Sequence, residues 1–228
     1  LYPISNGLSN TKSLYCNEFG EWTFLDLDRF GFPNKDKIYR NEKKFDIILL
    51  GDSFTKGGCV KSGNRVGDFL SEKYNYKILN LANGGGLLSN YAAYKEYGQN
   101  HKSNYVILNF YEGNDFFDFQ EELKTYLNLY LNNNFLQNLS EKIVKVDNIY
   151  SQIFDKYLKN ISKVNSKSKF FKMITLDNIF IKVVQLRVNL KEKKILHSNI
   201  PNLELFKETL NNLNNIIIEN DSIFLINI

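Results

Sequence analysis

Three short polar segments of this 228-residue chain each follow an apolar run, and they hold the residues best suited to chemistry. Residues 51–55 (GDSFT) contain Ser53, residues 83–86 (NGGG) are rich in glycine, and residues 113–115 (GND) contain Asn114. A serine hydroxyl can attack a carbonyl carbon, while backbone N–H groups and a side-chain amide can bind the oxyanion that forms. The three segments together predict acyl chemistry with a serine nucleophile.

The surroundings of Ser53 favour the same chemistry. Ser53 comes directly after an apolar run, where a helix is expected to begin, and free N–H groups at a helix N-terminus favour a developing negative charge. The glycine-rich segment lets the backbone approach a substrate closely and turn an N–H towards it. Loss of one such donor typically costs about 3 kcal/mol in the reaction barrier, so each donor is a substantial part of the predicted site.

Alternating strands and helices are predicted to position these segments. Four short apolar runs predict strands, and the first and third have the composition of strands that are buried on both faces. They are residues 45–50, 76–81, 105–110 and 222–227. Apolar residues at helical spacing predict helices over 64–74, 88–101 and 202–220. The alternation predicts an α/β fold with a parallel sheet between two helix layers, in which the three polar segments meet beyond the carboxyl ends of the strands.

Two further parts accompany this α/β domain, which is expected to span residues 45–228. Residues 1–44 are turn-rich and are expected to pack on the domain as an N-terminal extension. Residues 126–197 have helical spacing and are expected to form an insertion between the third and fourth strands. Within it, residues 139–197 contain 13 Lys and Arg against 5 Asp and Glu. A solvated helical face is the simpler interpretation of this excess, and contact with an anionic membrane surface or polysaccharide is the alternative.

The composition excludes several classes of protein. A hydrophobic content of 43% excludes a disordered or fibrous chain, and a net charge of +4 is too small to indicate nucleic-acid binding. No apolar run approaches the roughly 18 to 20 residues that span a bilayer. With two histidines and two cysteines a zinc site is not expected, and no nucleotide-binding motif is present, so no metal or cofactor is predicted. Cys16 and Cys59 could form a disulfide in an oxidising compartment or remain free thiols.

The order GDSFT, glycine-rich loop, GND resembles the SGNH (GDSL-type) hydrolases. It is most similar to a bacterial branch of esterases and O-acetyltransferases with Asp-Arg-Phe-Gly-Phe upstream, here residues 28–32, and Glu-Gly-Asn-Asp in the third block, here residues 112–115. The likeness covers roughly residues 15–125 and, more faintly, the last helix and strand. It implies a flavodoxin-like open sheet and a serine-dependent enzyme for acyl esters, many of them carbohydrate O-acetyl groups. A periplasmic or membrane-associated location is favoured by the same resemblance.

The resemblance also implies roles for the nucleophile and for the glycine-rich loop. Ser53 corresponds to the nucleophile, and its own N–H belongs to the oxyanion hole. Gly85 corresponds to the second oxyanion donor because it stands five residues after Asn80, with Gly84 or Gly86 as alternatives.

The remaining roles fall on the first and third segments. Asn114 corresponds to the third oxyanion donor. Gly51, Asp52 and Asp115 are supporting residues, and Asp52 is expected to shape the nucleophile turn rather than to act as a base. Tyr111, next to the third segment, is the aromatic residue expected to face a substrate.

One block of the family's pattern has no counterpart in this sequence. The family's general base is a histidine in an Asp-x-x-His block near the C-terminus, and no such block is present. His101 and His197 are both expected to be surface residues rather than bases. We interpret the chain as C-terminally truncated, with the catalytic His and Asp beyond Ile228, so that this fragment could lack activity.

Three other functions compete with a carbohydrate esterase. An O-acyltransferase for cell-surface polysaccharide would use the same site, and an inactive glycan-binding domain would share the fold. Asp26 and Asp28 could imitate the first motif of a haloacid-dehalogenase-type phosphatase, although Phe30 stands where that motif requires Thr or Val.

Overall fold

The computed structural model describes residues 1–16, 22–39, 44–162 and 202–228. The strands in these residues are β1 (Lys12–Cys16), β2 (Thr23–Asp26), β3 (Lys44–Gly51), β4 (Ile78–Asn80), β5 (Lys102–Asn109) and β6 (Ile223–Asn227). The α-helices are α1 (Ser53–Lys56), α2 (Val66–Tyr74), α3 (Leu87–Ala93), α4 (Asp115–Glu122), α5 (Ile143–Ser162) and α6 (Leu203–Glu219). A π-helical turn, Tyr94–Gly98, continues α3, and 3₁₀ turns occur at Asp36–Tyr39, Tyr126–Leu131 and Leu139–Glu141.

Four parallel strands form the main sheet, in the order β4-β3-β5-β6. Along β3, Ile47 and Leu49 pack with Leu70 of α2. Ile48 and Leu50 alternate with them, point to the opposite face, and are fully buried as well. The central strand is therefore covered on both sides, which is compatible with a three-layer α/β fold.

Most elements lie where the sequence predicts them, although some bounds differ. The second predicted strand is shorter in the structure, since β4 covers only Ile78–Asn80. Helix α3 is buried along its whole length, and the helical backbone that begins there ends at Gly98, before His101. Helix α2 ends at Tyr74, and the next residue, Asn75, adopts the left-handed conformation with φ of 57° and caps the last turn.

The N-terminal residues form a small two-stranded sheet that is tied to the main domain. Strands β1 and β2 pair antiparallel. A disulfide joins Cys16, at the end of β1, to Cys59, which follows α1. Of the two states considered for the cysteines, a disulfide or two free thiols, the structure shows the disulfide. Farther along, the side chain of Asn34 donates to Asn80 O and accepts from Asn80 N, which fixes the end of β4.

The chain divides into two compact units. The first consists of Leu1–Ile149 and Asn202–Ile228 and contains both sheets; the second is Tyr150–Pro201, of which residues 150–162 are described as part of α5. Within the predicted helical insertion 126–197, the described residues form two 3₁₀ turns and α5, while His197 and most of the basic segment lie outside the described residues. In the described ranges, no helix has the length and apolar character to cross a membrane.

Candidate functional site

The three predicted segments converge at the carboxyl edge of the main sheet. Strand β3 lies between β4 and β5, with Leu49 opposite Asn80 and Gly51 opposite Asn109, so the loops after these strands begin side by side. Phe54 belongs to the first segment and Tyr111 stands next to the third. Their ring centroids lie 5.6 Å apart, so the two loops are in contact. The side chain of Lys56 reaches Gly84 and joins the first segment to the second.

The first segment forms a tight turn that presents Ser53. Ser53 is exposed and is the first residue of α1. The Asp52 carboxylate caps this helix, because its Oδ1 accepts hydrogen bonds from the N–H groups of Phe54 at 2.9 Å and Thr55 at 3.4 Å. Gly51 has φ of 150°, and a Cβ there would lie 2.3 Å from Thr55 Oγ1. Glycine is therefore required before the aspartate, and Asp52 shapes the turn.

The N–H groups of the glycine-rich segment have different partners. The Gly85 N–H donates to Asn83 Oδ1 at 3.1 Å, and the Gly86 N–H donates to Glu122 Oε1 at 2.7 Å. The Gly84 N–H has no acceptor among the residues that the structure describes. Among the three glycines, Gly84 thus has a free N–H, whereas an oxyanion that binds the Gly85 N–H would have to displace Asn83 Oδ1.

Glu122 is a part of the site that the sequence does not reveal. Its carboxylate accepts hydrogen bonds from the N–H groups of Gly86, Leu88 and Ser89, at the start of α3. Burial raises the pKa of the Glu122 carboxyl to about 7, although these hydrogen bonds act in the opposite direction. Glu122 and Gly86 are 36 positions apart in the sequence, so no local motif reveals this contact. Glu122 fixes the conformation of the glycine-rich segment.

The third segment places polar groups of Asn114 and Asp115 at the same edge. Asn114 Nδ2 donates to Asp118 Oδ2 at 2.7 Å, so its amide is held by the next turn of α4. Asp115 Oδ2 accepts from the Tyr111 N–H at 2.8 Å. Burial raises the pKa of Asp115 to about 7, and the nearby carboxylates of Asp52 and Asp118 act in the same direction.

Unsatisfied oxygen atoms are concentrated here. Asp52 Oδ2, Asn114 Oδ1 and Asp115 Oδ1 are buried and have no hydrogen-bond partner among the described residues. Buried side-chain acceptors nearly always have partners in folded proteins. Exceptions gathered at one edge of a sheet are typical of a binding or catalytic site.

Lys56 is the second residue that sequence patterns do not single out. Its side chain is only 5% exposed, and its Nζ lies 4.2 Å from the centre of the Tyr15 ring. Burial lowers the pKa of Lys56 to about 8, while the Asp52 carboxylate opposes this shift. A buried ammonium therefore lies within the candidate site.

The described histidine lies far from the candidate site. His101 immediately precedes β5 and packs against Phe45 and Tyr39, with ring centroids 5.3 Å and 5.9 Å apart. It is half-buried in an aromatic cluster rather than on the surface, which corrects that expectation, and burial lowers its pKa. The eight-residue strand between it and the carboxyl edge is about 25 Å long. His101 therefore cannot contact Ser53.

The two aspartates considered for a phosphatase have other surroundings. Asp26 is exposed at the end of β2, in the small antiparallel sheet. Asp28 is buried, and its carboxylate accepts four hydrogen bonds, which leaves no free oxygen to attack a phosphate. The described residues contain no group of three or more His, Cys, Asp or Glu side chains placed to hold a metal ion. The geometry therefore gives no support to phosphatase chemistry.

A cavity of about 310 Å³ lies away from Ser53, between the turn at residues 33–38 and helix α2. Its lining includes basic and acidic side chains, among them Lys37, Arg65 and Asp68. None of the residues at positions 51–55 or 113–115 lines it.

Comparisons of the chain with protein-family models, with curated proteins and with solved structures find no match. The functional proposal therefore rests on the geometry and chemistry of the site.

Proposed function

We propose that this chain carries the nucleophile and the oxyanion donors of an SGNH-type ester hydrolase that acts on acyl esters, in particular O-acetyl esters of carbohydrates. One observation carries the proposal. Ser53 is exposed at the first residue of α1, at the sheet edge where the segments 51–55, 83–86 and 113–115 meet.

The proposed reaction begins with attack of Ser53 Oγ on the ester carbonyl. The negative charge that develops on the carbonyl oxygen needs hydrogen-bond donors that are already in position. The Ser53 N–H, the glycine-rich segment and the Asn114 amide are the candidates. The free N–H of Gly84 is available without rearrangement, whereas the N–H of Gly85 must first leave Asn83.

Two exposed aromatic side chains support a carbohydrate as the substrate. Phe54 is 75% exposed and Tyr111 is 52% exposed, and the two rings meet edge to face beside Ser53. Large aromatic rings exposed together at a site offer apolar surface against which a flat ligand face can pack. The apolar face of a sugar ring fits this surface.

The test is covalent labelling of the chain with a fluorophosphonate and hydrolysis of p-nitrophenyl acetate. Ser53→Ala should abolish labelling and reduce the hydrolysis rate at least 100-fold, because the attacking oxygen is lost. Ser71→Ala, at a serine on α2 away from the site, is the matched control and should behave like the unaltered chain. Labelling or hydrolysis that survives in Ser53→Ala would contradict the proposal.

Transfer of the acyl group to a sugar hydroxyl is the second candidate, because the acyl-enzyme step is common to both reactions and only the acceptor differs. The exposed rings of Phe54 and Tyr111 favour acyl transfer, because a sugar acceptor can pack on the same rings. Acetylated sugar product formed from p-nitrophenyl acetate and an oligosaccharide would distinguish transfer from hydrolysis. Binding of acylated glycan without either product would indicate a glycan-binding domain.

A further inference from the structure

We propose that Lys56 is the group that accepts the proton of Ser53 Oγ during attack on the ester. This inference rests on the proposed function, because it requires Ser53 to be the nucleophile. It assigns proton transfer to a residue within the described part of the chain.

The spacing in α1 brings the two side chains to the same side of the helix. Ser53 is the first residue of α1 and Lys56 is the last, three positions later. Residues three apart in a helix have Cβ atoms about 5 to 6 Å from each other. The four-carbon side chain of lysine is long enough to cover that distance. A serine at the start of a helix with a lysine three residues later is an arrangement that other serine acyl enzymes use.

The position of the ammonium group shows that it points into the site. A Cβ placed on Gly84 would lie 3.0 Å from Lys56 Nζ, so Nζ occupies the space that a side chain at position 84 would need. Gly84 also has a left-handed φ of 84°, which disfavours other residues. The Lys56 amine therefore lies beside the glycine-rich segment, with the Tyr15 ring on another side of it.

The surroundings of Lys56 suit a lysine that changes its protonation state. Lys56 is almost fully buried, and no carboxylate in the described residues lies within ion-pair distance of its Nζ. The titratable groups that face it are the Asp52 carboxyl and the Tyr15 phenol, and the Asp115 carboxyl interacts in turn with Asp52. With a pKa of about 8, roughly a tenth of the lysine is neutral at pH 7. A neutral amine has the lone pair that a general base requires.

The proposed step balances without another reactant. As the bond forms between Ser53 Oγ and the carbonyl carbon, the hydroxyl proton moves to the neutral Lys56 amine. The ammonium returns this proton to the leaving alcohol oxygen as the ester bond breaks. In the second half of the reaction, water attacks the acyl carbon and its proton moves to Lys56. Lys56 then gives this proton to Ser53 Oγ as the acyl–oxygen bond breaks, which releases the carboxylic acid and restores the serine hydroxyl and the neutral amine.

The experiment measures the rate of fluorophosphonate labelling of Ser53 from pH 5 to 10, in the unaltered chain and in three variants. In the unaltered chain the rate should rise through about pH 8 and then level off, as the amine loses its proton. Lys56→Met should lower the plateau rate about 100-fold or more and remove the rise. Lys56→Arg should lower the plateau rate by as much, because arginine keeps the positive charge but does not deprotonate.

Lys44→Met is the matched control, since Lys44 is exposed at the opposite end of β3. It should keep both the rate and the pH profile. Unchanged circular dichroism would show that the Lys56 variants are folded. If the Lys56 variants are not folded, the pH profile of the unaltered chain still tests the inference. A labelling rate of Ser53 that does not rise near pH 8 would overturn it.

The remaining outcomes separate this inference from the proposed function. Labelling of Ser53 that is unchanged in Lys56→Arg would show that Lys56 acts only as a cation, which overturns the inference while the esterase proposal stands. A chain whose Ser53 is not labelled at any pH would overturn both.

Discussion

Two buried aspartates, Asp28 and Asp52, each hold a turn of this protein, but their surroundings differ. Asp28 is 0% exposed, and its carboxylate accepts from the N–H groups of Phe30 and Phe32, from Asn34 Nδ2 and from the Tyr39 hydroxyl. Asp52 is 3% exposed, and only its Oδ1 accepts hydrogen bonds, whereas Oδ2 has no partner among the described residues.

The difference separates a structural role from a functional one. A buried carboxylate whose oxygens all accept hydrogen bonds holds its turn together, although burial still raises the pKa of Asp28. A buried carboxylate with a free oxygen costs stability, and such groups persist where a site uses them. Both aspartates precede polar turns in the sequence, so the sequence pattern does not distinguish them.

The largest effect is expected for Asp28→Ala. It leaves several buried donors unsatisfied, including the Phe32 N–H, so the free energy of unfolding should fall by about 3 to 5 kcal/mol. Urea denaturation measures the change. Asp26→Ala, at an exposed residue two positions earlier, is the control and should cost less than about 1 kcal/mol. A loss of stability of similar size in both variants would contradict the structural role of Asp28.

A smaller effect on stability is expected for Asp52→Asn. Asparagine caps helices about as well as aspartate, so the free energy of unfolding should change by less than about 1 kcal/mol. The missing charge no longer raises the pKa of Lys56, so the labelling profile of Ser53 should move to lower pH. A large loss of stability with an unchanged profile would show that Asp52, like Asp28, has only a structural role.

A further effect concerns the pH dependence of stability at Asp115. Burial raises the pKa of its carboxyl from 3.8 to about 7, so the folded chain holds this proton more tightly than the unfolded chain between those values. The contribution to stability is present below pH 3.8 and is lost as the pH rises through 7. From pH 5 to 8, the free energy of unfolding should therefore fall less in Asp115→Asn than in the unaltered chain. Urea denaturation at both pH values is the measurement, and equal falls would contradict the prediction.

The fold was predictable because it follows from local patterns. The apolar runs that become β3, β5 and β6 are short and bounded by polar residues, and the helical spacing of α2 and α6 is regular. The bounds were less accurate where long-range contacts decide them. Strand β4 covers only Ile78–Asn80, because only three of its residues pair with β3.

The candidate site was predictable in part. The rule that loops meet beyond the carboxyl ends of parallel strands placed Ser53, the glycine-rich segment and Asn114 at one edge. The rule did not reveal Glu122, whose carboxylate holds the segment from another helix. Nor did it reveal the disulfide between Cys16 and Cys59, since 43 positions separate them and two pairing states were equally consistent with the sequence.

The sequence by itself determined the kinds of chemical group, their order and the type of sheet that presents them, because apolar period and residue type act locally. Only the tertiary structure decided which buried polar groups are satisfied. Asp28 finds four donors among the residues that follow it, up to Tyr39, while Asp52 and Lys56 are buried together without closing an ion pair. Burial and pKa shifts depend on which groups surround a side chain, and those surroundings exist only once the chain has folded.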